Sequence, residues 1–305
     1  MSNFKPIFVV GHPRSGTTML ASMLGRHTSI SMPPETMFFY DVYGDCLSDR
    51  ESYVDKAMAS KRIQDLGLDR EELLQEFDFC ECSMKGLLQS LLSLYCRKSG
   101  KVRPGEKTPL HLLWISTIVE WFPEAKIVCI VRDGRDVISS LLNVPWSHDN
   151  IYKHCFDWKR NILLVEKLSS TMPGQFMFVK YEDILFHPER ELKKVCHFIS
   201  EEFQPAMLEN KKSGAVPNWE KPWKEKALKS VDKSNCGKWK RQPACIKGIM
   251  NTLMVGGLKR MNYSLEDVSL LLRLKCWVNA WPYHPWVRPF FSKLKWSIVI
   301  FLRKK

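Results

Sequence analysis

The segment Phe8-Val9-Val10-Gly11-His12-Pro13-Arg14-Ser15-Gly16-Thr17-Thr18-Met19 constrains this 305-residue chain more than any other. An apolar run ends in a loop of the form G-x-x-x-x-G, and Met19, Leu20, Met23 and Leu24 then recur with helical spacing. This is a buried strand, a phosphate-sized loop and a helix start. The free N–H groups and positive end of such a helix point at an anion. Thr17 stands where a nucleotide triphosphatase carries the lysine that reaches the β- and γ-phosphates. The loop therefore argues against ATP or GTP as phosphoryl donor, and Arg14 supplies a charge that can neutralise a terminal phosphate instead.

Further apolar runs repeat the pattern. Ser29 to Met32 is a second short strand, Lys126 to Val131 a continuous run of the kind buried on both faces, and Phe176 to Lys180 another. Residues 37–104 read as mostly helical, with an apolar helix from Met84 to Tyr95, and helical patterns cover Leu110–Trp121, Arg135–Leu142 and Ile151–Leu168. Strands separated by helices predict an α/β fold: a three-layer α/β/α arrangement around a mainly parallel sheet, with the ligand at the carboxyl ends of the strands. One domain over residues 1–265, followed by a basic, aromatic appendix over 266–305, is the expected organisation. Ten cysteines without a CxxC pair or His/Cys ligand spacing predict neither a zinc site nor a disulfide framework. No apolar leader opens the chain, so a cytoplasmic compartment is expected.

A second anion-binding sequence begins where the strongest strand ends. In Arg132-Asp133-Gly134-Arg135-Asp136-Val137-Ile138-Ser139-Ser140 the chain turns into a helix through Gly134. Arg132 leaves the sheet edge and Ser140 lies about two turns into that helix, which lets a guanidinium and a hydroxyl share one phosphate.

Taken together, the two motifs resemble those of sulfotransferases that use 3′-phosphoadenosine 5′-phosphosulfate. In that family a P-[RK]-S-G-T-T loop, matched by Pro13 to Thr18, holds the 5′-phosphosulfate; the resemblance thus assigns Arg14, Ser15, Gly16, Thr17 and Thr18 to the donor. An Arg followed eight residues on by Ser holds the 3′-phosphate, matched by Arg132 and Ser140. Tyr181-Glu182-Asp183-Ile184 is similar to a family segment beside the nucleotide, and Gly237-Lys238-Trp239-Lys240 to a late G-x-W-K motif, with Lys233 where a basic residue approaches the 3′-phosphate.

The likeness is greatest to the tyrosylprotein and bacterial stand-alone branch. There the glutamate of a P-E-T segment is the proposed general base, and a K-x-P lysine helps hold the transferring group; Glu35 and Lys107 correspond. The resemblance implies transfer of a sulfuryl group to an acceptor hydroxyl, with Glu35, Lys107 and Arg14 carrying the chemistry and no metal required. His111 and His154 are rival bases. Met37, where the tyrosylprotein branch has an arginine that receives acidic peptides, favours a carbohydrate, lipid or small-molecule hydroxyl, with a tyrosine peptide as the remaining acceptor. A P-loop kinase using Asp133 as metal ligand, and a non-catalytic nucleotide-binding protein at a membrane, are the competing functions.

The net charge of +13 is uneven: after Asp267 there is no acidic residue, while eight Lys and Arg follow. Trp277, Trp281, Trp286 and Trp296 share this stretch. Such a segment either anchors at an anionic membrane surface or packs its aromatics on the domain. No recognised module accompanies the charge, so nucleic acid is not an expected partner. No feature sets the oligomeric state.

Overall fold

The computed structural model describes residues 4–44, 46–209 and 233–283. They fall in two compact units, Met1–Arg132 with Lys167–Lys233 and Asp133–Glu166 with Ser234–Lys305. The tail tryptophans at 286 and 296 lie outside the described residues.

The first unit is built on five parallel strands, β1 (Ile7–Gly11), β2 (Ile30–Ser31), β3 (Arg103–Lys107), β4 (Lys126–Val131) and β5 (Phe176–Lys180), in the order β2-β3-β1-β4-β5. Every residue of β1 is buried, as is β4 beyond Lys126. Strands covered on both faces need apolar side chains on both, which is why β1 and β4 are unbroken apolar runs. Helix α1 (Thr17–Leu24) and the helices Met84–Lys98 and Pro188–Ile199 pack on this sheet.

Strand order places the chain reversal at β1. It runs out to β2, returns to β3 beside β1, then crosses to β4 on the other side. Loops leaving the carboxyl ends of neighbouring strands diverge at such a point and leave a crevice, where ligands of open α/β sheets bind.

β3 has no counterpart among the predicted strands. It is spelled Arg-Pro-Gly-Glu-Lys, yet it lies between β2 and β1, in register Val9 with Lys107 and Ile30 with Arg103. A Cβ on Gly105 would stand 2.5 Å from the Ser31 carbonyl oxygen, so close strand approach excludes a side chain there. Arg103 is tied down by its guanidinium, which donates to the Ile199 carbonyl at 3.2 Å. Leu110–Trp121 also resolves differently from a single helix: a 3₁₀ segment, Pro109–Trp114, precedes an α-helix, Ile115–Trp121.

The second unit has its own core around Trp158, which is 1 % exposed. A Cβ on Gly134 would come within 2.5 Å of the Trp158 ring, and one on Gly257 within 2.6 Å, so both glycines let helices close on the indole. Helix Ala244–Leu253 packs against helix Leu270–Ala280 in the same unit.

Candidate active site

Gly11 ends β1, and a Cβ there would meet the Ile130 carbonyl oxygen on β4 at 2.5 Å. The loop turns through Arg14, a non-glycine residue at φ 70°, and Gly16, at φ 106°. Backbone held in this region costs free energy and persists where the surroundings enforce it, commonly at ligand sites. Gly16 is further constrained by the Tyr181 ring, which a Cβ would approach to 2.4 Å. Thr17 and Thr18 open α1 and are buried. The Ser15 hydroxyl is fully buried and has no hydrogen-bond partner among the described residues. A buried hydroxyl without a partner is costly unless a ligand completes it.

Pairing of β4 with β1, and of β5 with β4, brings Arg132 and Tyr181 to this loop. Arg132 Nη1 donates to the Arg14 carbonyl at 3.2 Å, and its guanidinium carbon stands 4.5 Å from the Tyr181 ring centre. Arg14 has its pKa lowered, first by burial and then by the like charge of Arg132, against an opposing pull from Glu35. Two guanidiniums close enough to repel raise the local positive potential, which favours an anion between them. Lys233 is placed on the same unit, exposed, its ammonium 5.5 Å from the Phe186 ring centre at the end of the helix that Tyr181 begins.

The third element is β3. Lys107, 1 % exposed, donates from Nζ to Glu35 Oε1 at 2.7 Å. Arg62 from the helix Lys61–Gln64 stands 3.7 Å from the other Glu35 oxygen. Glu35 is itself largely buried, its side chain 11 % exposed. Sequence reasoning named Glu35 and Lys107 but not Arg62, which no local pattern marks.

Glu106, next to Lys107, is fully buried and was also missed. Thr36 and Thr108 hydroxyls donate to its Oε1 at 2.8 and 2.6 Å, and His111 Nδ1 lies 2.9 Å from Oε2. Burial pushes the Glu106 pKa up, but the His111 charge and the hydrogen bonds from His111, Thr108 and Thr36 outweigh it, and the net direction is down. Thr108 Oγ1 in turn accepts from the Met37 N–H at 3.2 Å, and Thr36 Oγ1 from the Phe38 N–H at 3.3 Å. Strand alternation thus divides two neighbours: Lys107 binds Glu35, and Glu106 holds Thr36, the residue that follows Glu35. His111 is occupied by this network and by the Phe39 ring, 4.9 Å away, as a core histidine is.

Ser140 belongs to the second unit, half-buried on helix Gly134–Leu141. The acidic residues of its motif are structural. Asp133 accepts from the Arg135 backbone N–H and forks with its guanidinium at 3.0 and 2.7 Å, while Arg135 also reaches Asn251 Oδ1 at 2.9 Å and lies over Trp239 at 3.7 Å. Asp136 accepts from the backbone N–H groups of Gly237 and Trp239 at 2.7 and 2.9 Å. The G-x-W-K segment is therefore a clasp on the Asp133–Asp136 turn. His154 stacks on His148 at 4.1 Å, with its Nε2 at 2.8 Å from the His148 carbonyl. Among the described residues no group of three or more His, Cys, Asp or Glu side chains stands in metal-ligating arrangement.

A sequence model described as "Sulfotransferase family" matches residues 6–205. The chain belongs to the sulfotransferase family. Its relatives include a protein-tyrosine sulfotransferase of Drosophila melanogaster, 26 % identical over 250 residues, covering 76 % of this chain and 46 % of that one. The chain thus spans about half the length of that curated relative. Among solved structures, the sulfotransferase domain of the Synechococcus PCC 7002 olefin synthase superposes with a TM-score of 0.61 at 20 % identity, covering 87 % of this chain and 98 % of that one. The mouse sulfotransferase SULT7A1, solved in complex with PAP, gives 0.50 at 15 % identity, covering 85 % of each chain. Both share the fold of this chain.

Proposed function

We propose that this chain moves a sulfuryl group from 3′-phosphoadenosine 5′-phosphosulfate to an acceptor hydroxyl. The observation that carries the reading is the Glu35–Lys107 ion pair of 2.7 Å, on the unit whose loop arginine, Arg14, is electrostatically coupled to the same Glu35. A proton acceptor and an anion receptor are thereby coupled through one carboxylate.

The residues present fit the donor. The buried Ser15 hydroxyl without a partner, the α1 N-terminus and the Arg14–Arg132 pair suit a phosphosulfate and a further phosphate. When bound, the donor supplies an activated sulfuryl group on a phosphate leaving group. Loop amides of Gly16, Thr17 and Thr18 hold anionic oxygens, and Arg14 and Lys107 offset the charge that grows there. Tyr181 offers a ring face beside Gly16. The sequence motifs extend the 3′-phosphate contacts to Ser140 and Lys233, and alanine at either position weakens nucleotide binding on this reading. Glu35 removes the acceptor proton; Lys107 fixes the rotamer of that carboxylate, and the Glu106 network fixes its backbone. Positioning and electrostatics then supply most of the rate.

The acceptor is a carbohydrate, lipid or small-molecule hydroxyl, because position 37 beside the base is methionine. A tyrosine peptide is the second reading, supported by the protein-tyrosine sulfotransferase relative. Calorimetric titration with 3′,5′-adenosine bisphosphate and with ATP, in metal-free buffer, tests the donor. Tight binding of the bisphosphate alone is expected; tighter binding of ATP, in that buffer or in a second titration with Mg²⁺ added, would favour the kinase. Labelled donor incubated with sugars, lipids and tyrosine peptides then separates the acceptors.

A further inference from the structure

The helix Leu270–Ala280 presents two faces. Cys276 and Ala280 are buried, and Leu272 packs where a Cβ on Gly248 would stand 2.5 Å from it. These residues, four apart, attach the helix to its own unit. The opposite face is apolar as well. Leu270, Leu271 and Val278 are 72–80 % exposed, and Leu274, Trp277 and Trp281 are exposed beside them. At about 100° per residue these six side chains fall within about 120° of the helix circumference. The same projection puts Lys275 just beyond one edge of the stripe and Arg273 just beyond the other, both exposed.

We infer that this face is a docking surface for an anionic lipid bilayer, with the helix lying in the plane of the headgroups. Leucine and valine side chains on the stripe enter the acyl boundary, Trp277 and Trp281 sit at headgroup level, and the two flanking cations meet lipid phosphates. Charge selects this occupant over the others. From residue 268 to residue 305 the chain holds eight basic residues and no acidic one. Covering the stripe with the chain's own 284–305 segment, or with the same face of a second copy, would set cations against cations. An anionic surface does the reverse, and each Lys or Arg close to it strengthens the attraction. Among the described residues no helix is long and apolar enough to cross a membrane.

Sedimentation of the full chain with vesicles of phosphatidylcholine containing a third phosphatidylserine, and with phosphatidylcholine alone, tests the inference. Binding to the anionic vesicles that weakens at least tenfold on neutral vesicles, or on raising salt to 0.5 M (roughly a 4 Å Debye length), is expected. The double substitution Leu271→Glu with Leu274→Glu alters only exposed side chains and is expected to reduce partition at least tenfold while leaving adenosine bisphosphate binding unchanged. Unaltered vesicle binding by this variant overturns the inference, as does loss on deleting residues 284–305 with no loss in the double variant. Sedimentation velocity supplies the third arm: a dimer of the wild type that the double variant abolishes, without vesicle binding, assigns the face to a second copy and also overturns it.

Discussion

Lys107 and Glu106 are neighbours on one strand and serve opposite sides of the same peptide: Lys107 Nζ holds the Glu35 carboxylate at 2.7 Å, while Glu106 accepts from the hydroxyl of Thr36, the next residue, at 2.8 Å. A strand that would ordinarily contribute two apolar side chains contributes a cation and an anion. The sheet there positions chemistry as much as it buries surface.

Replacing Lys107 by methionine keeps the length of the side chain and removes its charge. Turnover is expected to fall about 10²- to 10³-fold, the range for losing one electrostatic donor, with adenosine bisphosphate affinity changed less than tenfold. Arginine at 107 is not expected to restore the rate, since a planar fork does not fit a fully buried site shaped for one ammonium. Single-turnover kinetics beside calorimetry reads both quantities.

Glu106→Gln removes a carboxylate that is buried completely and accepts three hydrogen-bonding contacts. A loss of about 3 kcal/mol is expected at pH 7, typical for breaking one side of a buried charged network. The pH dependence carries the sign. The folded-state pKa of Glu106 is depressed below 4.5, so its contribution is fully present above that value and disappears as pH falls through the folded pKa. Wild type and Glu106→Gln should therefore differ by a constant margin in thermal stability above pH 4.5 and converge as pH falls below it.

Asp136→Ala strands the backbone N–H groups of Gly237 and Trp239, of which Trp239 is 2 % exposed. Each buried donor left without an acceptor costs about 1–3 kcal/mol. A fall in thermal midpoint is expected, with faster proteolysis around Gly237; asparagine at 136, which keeps one acceptor, should lose less.

Legibility followed the physics of burial. β1 and β4 could be read because strands covered on both faces must be apolar, β5 because its run is apolar up to Lys180, and Lys126–Val131 and Phe176–Lys180 appear in the structure with those bounds. β3 could not, since Pro104, Gly105, Glu106 and Lys107 carry contacts specific to Ser31, Thr36 and Glu35, all distant in sequence. The phosphate loop was visible because its glycines and hydroxyls are local. Arg62 beside Glu35 was not, because a short polar helix declares nothing about which face turns inward. Asp133 and Asp136 were conspicuous in the sequence for a reason other than ligand binding: they clasp Arg135 and the Gly237–Trp239 turn.

On the proposed function Glu35 is the base of a sulfuryl transfer. The most direct test of that role is the rate of label transfer from 3′-phosphoadenosine 5′-phospho[³⁵S]sulfate to the acceptor by wild type, Glu35→Gln and Glu35→Asp, with adenosine bisphosphate affinity measured on each protein. General-base catalysis contributes about 10²- to 10⁴-fold, so a fall of that size is expected for glutamine, with partial retention for aspartate and nucleotide binding preserved throughout. Full turnover by Glu35→Gln with nucleotide still bound would contradict that role.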